Sequence, residues 1–369
     1  MNRRNVLAAA VALAAGIFTA AAQAQGLPSY YPKSYSQIVE GSKKENKLVV
    51  YSIMAEYNWK PVIEGFRKLY PWIEVQTLDL GSSEVFERYY SERASGARTG
   101  DLIIAGAVDK WLQLIAKGEA IDYQSPEADK LPKWSMPRKG LYTVSADPMV
   151  IVWNNALVPE NQRPKSFAEL AKLAAAHPAD YKNKVTTYNA ATEAFGLNIN
   201  WAFTKKYGDT AWKELETLGK VTRPERSAGP MIEKITSGEY KVGYFISGIV
   251  LFPKLTDPAR AKLLGWAFPT DGTPIVLRGM AIPKGSTNVN SAKLMLDYIL
   301  SHDGQVGFGK GGLTPYREDV KASEVPRPTY HGVVEQVGGE DKVVRVEYDD
   351  DVMTKGPEFQ ARWRKLFGI

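Results

Sequence analysis

Apolar positions in the first third of the chain alternate between two periods. Lys47 to Ser52, KLVVYS, is a short apolar run of the kind that forms a buried strand, and a helix over Ser34 to Glu45 precedes it. From Asn58 to Tyr70 the period lengthens. Val62, Phe66 and Leu69 share one helical face, and the helix is expected to stop before Pro71. Ile73, Val75 and Leu78 to Leu80 restore a strand, and Gly81 turns the chain. Ser82 or Ser83 then stands where an N-cap hydroxyl belongs, ahead of Val85, Phe86, Tyr89 and Tyr90 on one face of a further helix. Gly96, Thr99 and Gly100 end that helix. Leu102 to Ala105 reads as a strand buried on both faces, and Val108 to Lys117 as a short helix closed by Gly118. The order β-α-β-α-β-α implies an open parallel sheet with helices on both faces. It also leaves a helix N-terminus, with free N–H groups and two serine hydroxyls, at the mouth of the sheet, a place suited to a small anion. In most α/β proteins such serines only cap.

From Leu141 the texture changes. Leu141 to Asn154 is a long strand-like run broken by Pro148, as expected of a chain crossing between domains. Ser166 and Glu169 form a capping box at the head of the next helix. There follow a strand at Val185 to Tyr188, an Ala-rich helix from Ala190 to Tyr207, a charged helix from Thr210 to Leu218, a helix from Pro230 to Ser237 and a strand from Tyr240 to Ser247. Leu264 to Phe268 and Pro274 to Gly279 lead the chain back, and Asn290 to Ser301 resumes the texture of the first half. The expected division is a leader over 1–24, a first lobe over 25–146, a second over 147–273, a return to the first over 274–310, and a return to the second with a C-terminal helix over 311–369. No repeat of 20 to 50 residues is visible, which excludes a solenoid.

Composition narrows the class. Apolar residues at 44% and charged residues at 24% are those of a soluble globular chain, and 369 residues exceed one ordinary core. The formal charge of +6 loses Arg3 and Arg4 with the leader, and no basic stripe interleaved with aromatics is present, so nucleic acid is not an expected partner. Cysteine is absent, which excludes disulfides and thiolate chemistry. Arg3 and Arg4, an apolar segment from Val6 to Ala22 and Ala22-Gln23-Ala24 make a secretory signal peptide cleaved after Ala24, by the general secretory or the twin-arginine route. A periplasmic protein is the expectation.

The order of LVVYS, LGSSEVFERYYSERASGARTGDLIIAG, PMVIVWNNALV, PKSFAEL, SGEYKVGYFISG and GMAIPKGSTNVNSAKLMLDYILSHDGQ resembles the periplasmic solute-binding proteins of ABC importers, in the branch of the ferric-iron-binding and phosphosugar-binding proteins. The likeness runs from about Leu48 to Pro315. It implies an α/β fold of two lobes, each a mostly parallel sheet flanked by helices, joined by crossing hinge strands. It further implies a ligand in the cleft, delivery to an ABC permease in the inner membrane, a monomer, and no cofactor.

In the iron-binding members adjacent tyrosines of the second lobe ligate the metal. Here the matching stretch keeps Tyr244 but has Phe245 beside it, so a ferric site is the alternative and no metal ligand is assigned. Tyr89 and Tyr90, also adjacent, continue the apolar face of their helix and are expected in the core. A small organic anion, a carboxylate, phosphonate or phosphate ester, fits the residues better. Ser82 and Ser83 offer donors at the helix N-terminus. Thr186, Tyr188, Asn189 and Thr192 follow the first strand of the second lobe, and Ala105, Tyr244 and Ser247 lie on strands whose carboxyl ends face the same cleft. Arg226 and Arg278 are the cations suited to fork onto an anion, and Glu56 and Tyr57 stand at the cleft edge.

A secreted hydrolase is the remote third reading. No G-x-S-x-G elbow occurs, and His177, His302 and His331 have no spacing for a metal or triad. Gly304 to Lys310 spells G-x-x-x-x-G-K, but Gly311 replaces the Ser or Thr of a phosphate loop, so a glycine-rich turn between lobes is expected there. Asp349 to Asp351 lacks calcium-loop spacing and reads as a solvated loop before a helix from Glu358 to Phe367.

Overall fold

The computed structural model describes residues 27–369, and the expected leader lies outside the described residues. The chain runs α1 (Tyr35–Glu45), β1 (Lys47–Ser52), α2 (Glu56–Leu69), β2 (Glu74–Asp79), α3 (Glu84–Ser95), β3 (Leu102–Ala105) and α4 (Val108–Ala116). It continues through β4 (Tyr142–Asn154), α5 (Phe167–Ala176), α6 (Pro178–Tyr181), β5 (Val185–Tyr188), α7 (Ala194–Gly219), β6 (Thr222–Glu225), α8 (Ala228–Ser237) and β7 (Val242–Ser247). The remainder is α9 (Gly248–Lys254), α10 (Pro258–Leu263), β8 (Leu264–Ala267), β9 (Thr273–Ala281), α11 (Val289–Leu300), α12 (His302–Lys310), α13 (Tyr330–Val337), β10 (Val343–Val346) and α14 (Asp351–Phe367).

The strand order is β2-β1-β3-β9-β4-β7-β5-β6, with β10 beside β9 and β8 beside β4. Two parallel groups, β2-β1-β3 and β7-β5-β6, thus stand on either side of the antiparallel pair β9 and β4. Strand β4 is buried along all thirteen residues and serves both groups. Its first half pairs with β9, Tyr142 opposite Met280 and Pro148 opposite Ile275. Its second half pairs with β7 and β8, beginning at Met149 opposite Ser247. The change of partner falls at Pro148, which has no N–H for a ladder.

Two bulges interrupt these ladders, and both matter for the site. Thr143 faces Gly279 and Ala146 faces Leu277, so Val144 and Ser145 together oppose the single residue Arg278. On the other side Val150 faces Ile246 and Val152 faces Gly243, so Tyr244 and Phe245 oppose Ile151. Phe245 takes the left-handed conformation there (φ 54°), and its ring stacks on Phe167 with centroids 5.1 Å apart. An aromatic residue at positive φ costs about 1–2 kcal/mol, which the surrounding aromatic core offsets.

Three of the expected segments come out differently. The expected glycine-rich turn at Gly304 to Lys310 is helix α12, capped by Ser301, whose Oγ accepts the Gly304 N–H at 3.2 Å. Its glycines admit neighbours: a methyl group on Gly304 would collide with the Tyr298 carbonyl, and one on Gly309 with the Val325 side chain. The Ala-rich and charged helices expected at Ala190 to Tyr207 and Thr210 to Leu218 run on as α7, kinked at Gly208 (φ 54°, ψ −131°). The acidic run expected as loop leads directly into α14, which starts at Asp351, seven residues earlier than expected. Asp349 is not simply solvated, since it accepts from Trp201 Nε1 at 2.9 Å and Lys205 Nζ at 2.5 Å. The Ser166 cap forms as expected, accepting the Glu169 N–H at 3.0 Å, and Asp271 reinforces it by taking the Phe167 and Ala168 N–H groups.

Candidate functional site

The carboxyl ends of β1, β2 and β3 face those of β5 and β7 across the crossing strands. Residues following parallel strands project there, because each strand hands over to a helix at that edge. The two sides touch at one corner. Asn198 of α7 donates to Asp109 of α4 at 2.9 Å, and a side chain at Gly106 would meet the Phe195 ring 2.7 Å away.

Arg278 lies at the centre of this edge, on β9 opposite the Val144–Ser145 bulge. Its side chain is 1% exposed and that of Asp147 is 0%, and Arg278 Nε donates to Asp147 Oδ2 at 3.0 Å. The same carboxylate accepts from the Ser145 hydroxyl at 2.7 Å and the Thr314 N–H at 3.1 Å. Asp147 is therefore fully engaged. Arg278 is not: its Nη1 is buried without any hydrogen-bond partner. An unsatisfied buried donor costs about 1–3 kcal/mol and more when charged, so among the described residues this nitrogen is an uncompensated cost.

Three further side chains, Tyr188, Tyr348 and Asp79, lie within the field of that guanidinium. Tyr188 is buried at the end of β5, and burial holds its phenol well above the ordinary value although Arg278 and the Ser247 amide and hydroxyl pull it down. Burial likewise raises Tyr348, against the opposing charges of Arg278 and Arg138. Across the edge, Asp79 ends β2. Burial raises its carboxyl and Arg278 opposes the rise, so the two charges sense one another without forming a bridge. Tyr57, 46% exposed at the start of α2, is raised by burial and then by the nearby Asp79 charge.

The residues singled out from sequence divide into two groups. Tyr188 lies near Ser247 and within the field of Arg278, whereas Tyr57 stands apart from them near Asp79, with Glu56 exposed beside it, Ala105 buried at the end of β3, and Ser82 and Ser83 half-buried ahead of α3. Neither serine caps that helix by its side chain; the Glu84 carboxylate takes the Gly81 N–H at 2.9 Å instead. The others are engaged within the second half-sheet. Thr186 donates to the Arg223 carbonyl at 2.9 Å, Asn189 accepts the Ala191 N–H at 2.9 Å, and exposed Thr192 lies against Glu193. Arg226 is 87% exposed and pairs with Glu193 at 3.1 Å. Tyr244 points into the core against Phe167, its hydroxyl without a partner. Of the tyrosine pair expected in the core, Tyr89 is fully buried and Tyr90 half-buried. Asp79, Asp147 and Tyr348 were not legible as site residues. One signal for Asp147 existed: it is the only charge between Leu141 and Asn154, as Arg278 is between Thr273 and Pro283.

Among the described residues no helix is long and apolar enough to cross a membrane. Comparison with known proteins agrees with the architecture. A curated relative, a probable ABC transporter periplasmic-binding protein of Sinorhizobium fredii, is 23% identical over 252 residues, 66% of this chain and 67% of that protein. The fold matches the substrate-binding protein of an ABC transporter from Agrobacterium tumefaciens with a TM-score of 0.75 at 21% identity, covering 87% of this chain and 94% of that one. It also matches apo ferric ion-binding protein A of Pasteurella haemolytica (TM-score 0.67, 18% identity, 88% and 98% covered). A third match is a periplasmic binding protein of Actinobacillus pleuropneumoniae with exogenous fructose-6-phosphate bound (TM-score 0.65, 18% identity, 88% and 99% covered). The model of the bacterial extracellular solute-binding proteins matches residues 52–306. The chain belongs to that family and is the solute-binding protein of an ABC transporter, a binding protein and not an enzyme.

Proposed function

We propose that the protein captures a small organic anion, a carboxylate, phosphonate or phosphate ester, between its two lobes and delivers it to a membrane permease. The observation that carries this reading is the buried Nη1 of Arg278, a cationic donor with no acceptor. The Asp147 bridge through Nε fixes the plane of the guanidinium, leaving the other edge of the fork for ligand oxygens. The head of α3 adds the partial positive charge of a helix N-terminus from the facing side. Ser247 offers a hydroxyl from the second lobe.

Closure follows from differential contact. A ligand that touches Arg278 and both rims stabilises the closed state by whatever it gains there over the open one, and the permease reads that state. The protein acts as a monomer in the periplasm, freed of its leader by cleavage after Ala24. The ferric alternative loses its expected ligand, because Tyr244 is turned into the core of the second lobe.

Thermal shift on the exported chain, unfolded, stripped of ligand and refolded, tests the proposal. Carboxylates, phosphonates, phosphate esters and ferric salts are each added in turn. An anion at 100 times its dissociation constant adds about 2.7 kcal/mol of stability. At the same ligand concentration that gain is expected to fall to about 1.4 kcal/mol or less in Arg278→Lys, whose affinity drops about tenfold or more for want of the fork. A shift by ferric salts alone, or by no anion, refutes it.

A further inference from the structure

The bulge opposite Arg278 disturbs the ladder of β4 between Thr143 and Ala146, and groups from outside the sheet take over its backbone. The Tyr316 hydroxyl donates to the Thr143 carbonyl at 2.5 Å, and Gln305 Nε2 donates to the Val144 carbonyl at 2.7 Å. The Ala146 N–H goes to the Thr314 carbonyl at 3.1 Å. All three partners belong to α12 or to the stretch just after it.

These bonds decide how firmly Asp147 can hold the guanidinium. Its Oδ2 accepts from Arg278 Nε at 3.0 Å and from the Ser145 hydroxyl at 2.7 Å, and its Oδ1 accepts the Thr314 N–H at 3.1 Å. Arg278 is thus placed by Asp147, and Asp147 by two backbone stretches, the bulge and residue 314. The two stretches are tied together by the Ala146–Thr314 bond, by the Tyr316 hydroxyl, and by Gln305, whose Oε1 also accepts the Tyr316 N–H at 3.2 Å. Gln305 and Tyr316 are both 0% exposed, and the Tyr316 ring packs on Trp134 with centroids 5.1 Å apart, so neither side chain reaches a ligand. A fork that takes two ligand oxygens has to be held within roughly 0.5 Å of its productive position, and supporting hydrogen bonds of this kind hold it there.

Resting on the anion reading, we propose that Tyr316 is a positioning residue of the binding site, anchored by Gln305. Its hydroxyl and its N–H lock the β4 bulge onto residues 314–316, which keeps Asp147 in place and aims Arg278 Nη1 at the anion. It contributes to affinity only through the guanidinium fork. A lysine ammonium is a point charge on a flexible stem and does not depend on that alignment. The cost of releasing the bulge therefore depends on which cation stands at position 278.

Isothermal titration calorimetry on the exported chain tests this with alkyl carboxylates, alkylphosphonates and alkyl phosphates of two to four carbons. The tightest binder among them is titrated into the parent, Tyr316→Phe, Arg278→Lys and the double variant. Tyr316→Phe keeps the ring in its packing and loses only the hydroxyl. It is expected to weaken binding about tenfold beside arginine and less than twofold beside lysine. Gln305→Met, which keeps the length of the side chain but releases Val144 and Tyr316, is expected to show the same dependence, and stands in if Tyr316→Phe does not fold. Equal losses beside arginine and lysine would overturn the proposal, because a tie that only supports the scaffold weakens both alike. So would the absence of any loss beside arginine. Either result leaves the anion reading intact. Arg278→Lys binding as tightly as the parent, or failure of every anion, would remove the anion reading and this proposal with it.

Discussion

Replacing Arg278 by methionine removes one partner of a bridge in which both side chains are buried, 1% and 0% exposed. Asp147 would keep the Ser145 hydroxyl and the Thr314 N–H but lose its only bridging cation. Breaking a buried pair from one side costs about 3–5 kcal/mol, because the remaining charge is stranded, not because the pair itself was strongly favourable. At about 2.1 cal/mol/K per residue the melting entropy of a chain this long is roughly 0.7 kcal/mol/K, so the ligand-free melting point should fall by roughly 4–7 °C. Asp147→Asn made in the same protein takes away the stranded charge; its amide oxygen can accept the Thr314 N–H on the Oδ1 side, and its amide nitrogen can donate to the Ser145 hydroxyl on the Oδ2 side. The double variant should therefore regain about 2 kcal/mol or more over Arg278→Met alone. Urea unfolding of the four proteins gives the coupling energy directly. Arg278→Lys separates the two roles: an ammonium still answers Asp147 and limits the loss of stability, whereas ligand affinity falls about tenfold or more for want of the second donor. Costs that add within about 0.5 kcal/mol in the double variant would refute the bridge as the element that orients the guanidinium.

Three other perturbations probe the scaffold. Asp297 is buried among Tyr35, Tyr123 and Ser125, which donate to it at 2.8, 2.6 and 2.6 Å, and burial still lifts its carboxyl to about 7. Its neutral form is favoured in the fold, so its stabilising contribution is complete below the unfolded value near 4 and is lost as pH rises through 7. Asp297→Asn should flatten the fall in stability between pH 5 and 8 by roughly 2–3 kcal/mol, read as a narrowing gap between the two melting curves. Gly304→Ala would gain about 1 kcal/mol from helix propensity but drives a methyl into the Tyr298 carbonyl; the collision should win, and a melting point above that of the parent would show that α12 can shift. Asn198→Ala removes the hydrogen bond to Asp109 between the lobes, worth about 1–2 kcal/mol, so ligand affinity should fall roughly 5- to 30-fold while the unliganded radius of gyration by X-ray scattering rises.

Elements whose cause is local were legible along the chain. The Ser166 cap, the αL termination at Gly96 (φ 71°) and the buried run of β3 depend on neighbours within a few residues. The gap expected between helices ending at Tyr207 and starting at Thr210 coincides with the kink of α7 at Gly208. Where packing decides, the pattern misled. Glycines at 304, 307, 309 and 311 signal a turn by composition. In the fold they lie in or just after a helix, and close approach of Tyr298, Val325 and Asn58 leaves no room for side chains at 304, 309 and 311, while Val62 makes 307 tight. Helix α9 begins with Gly248 and contains Pro253, two residues that argue against a helix, and it forms with Ile249, Leu251 and Phe252 buried. Strand β10 is only four residues and exists because β9 offers it an edge.

The site shows the same division at the level of chemistry. Arg278 could be chosen as a cation suited to an anion, but its orientation depends on a bulge that sets Val144 and Ser145 against it, and a bulge is a relation between strands 130 residues apart. Tyr244 was chosen by analogy of position, and the second bulge sends its ring into the aromatic core with Phe167. The two irregularities in the crossing ladders thus decide which polar groups reach the cleft. A lone charge in an apolar strand is the trace they leave in sequence. Arg278 and Asp147 each stand alone in such a run, and two isolated opposite charges on strands expected to cross are most economically explained as partners. No comparable trace marks Asp79, which sits at an exposed strand end where an acid is unremarkable.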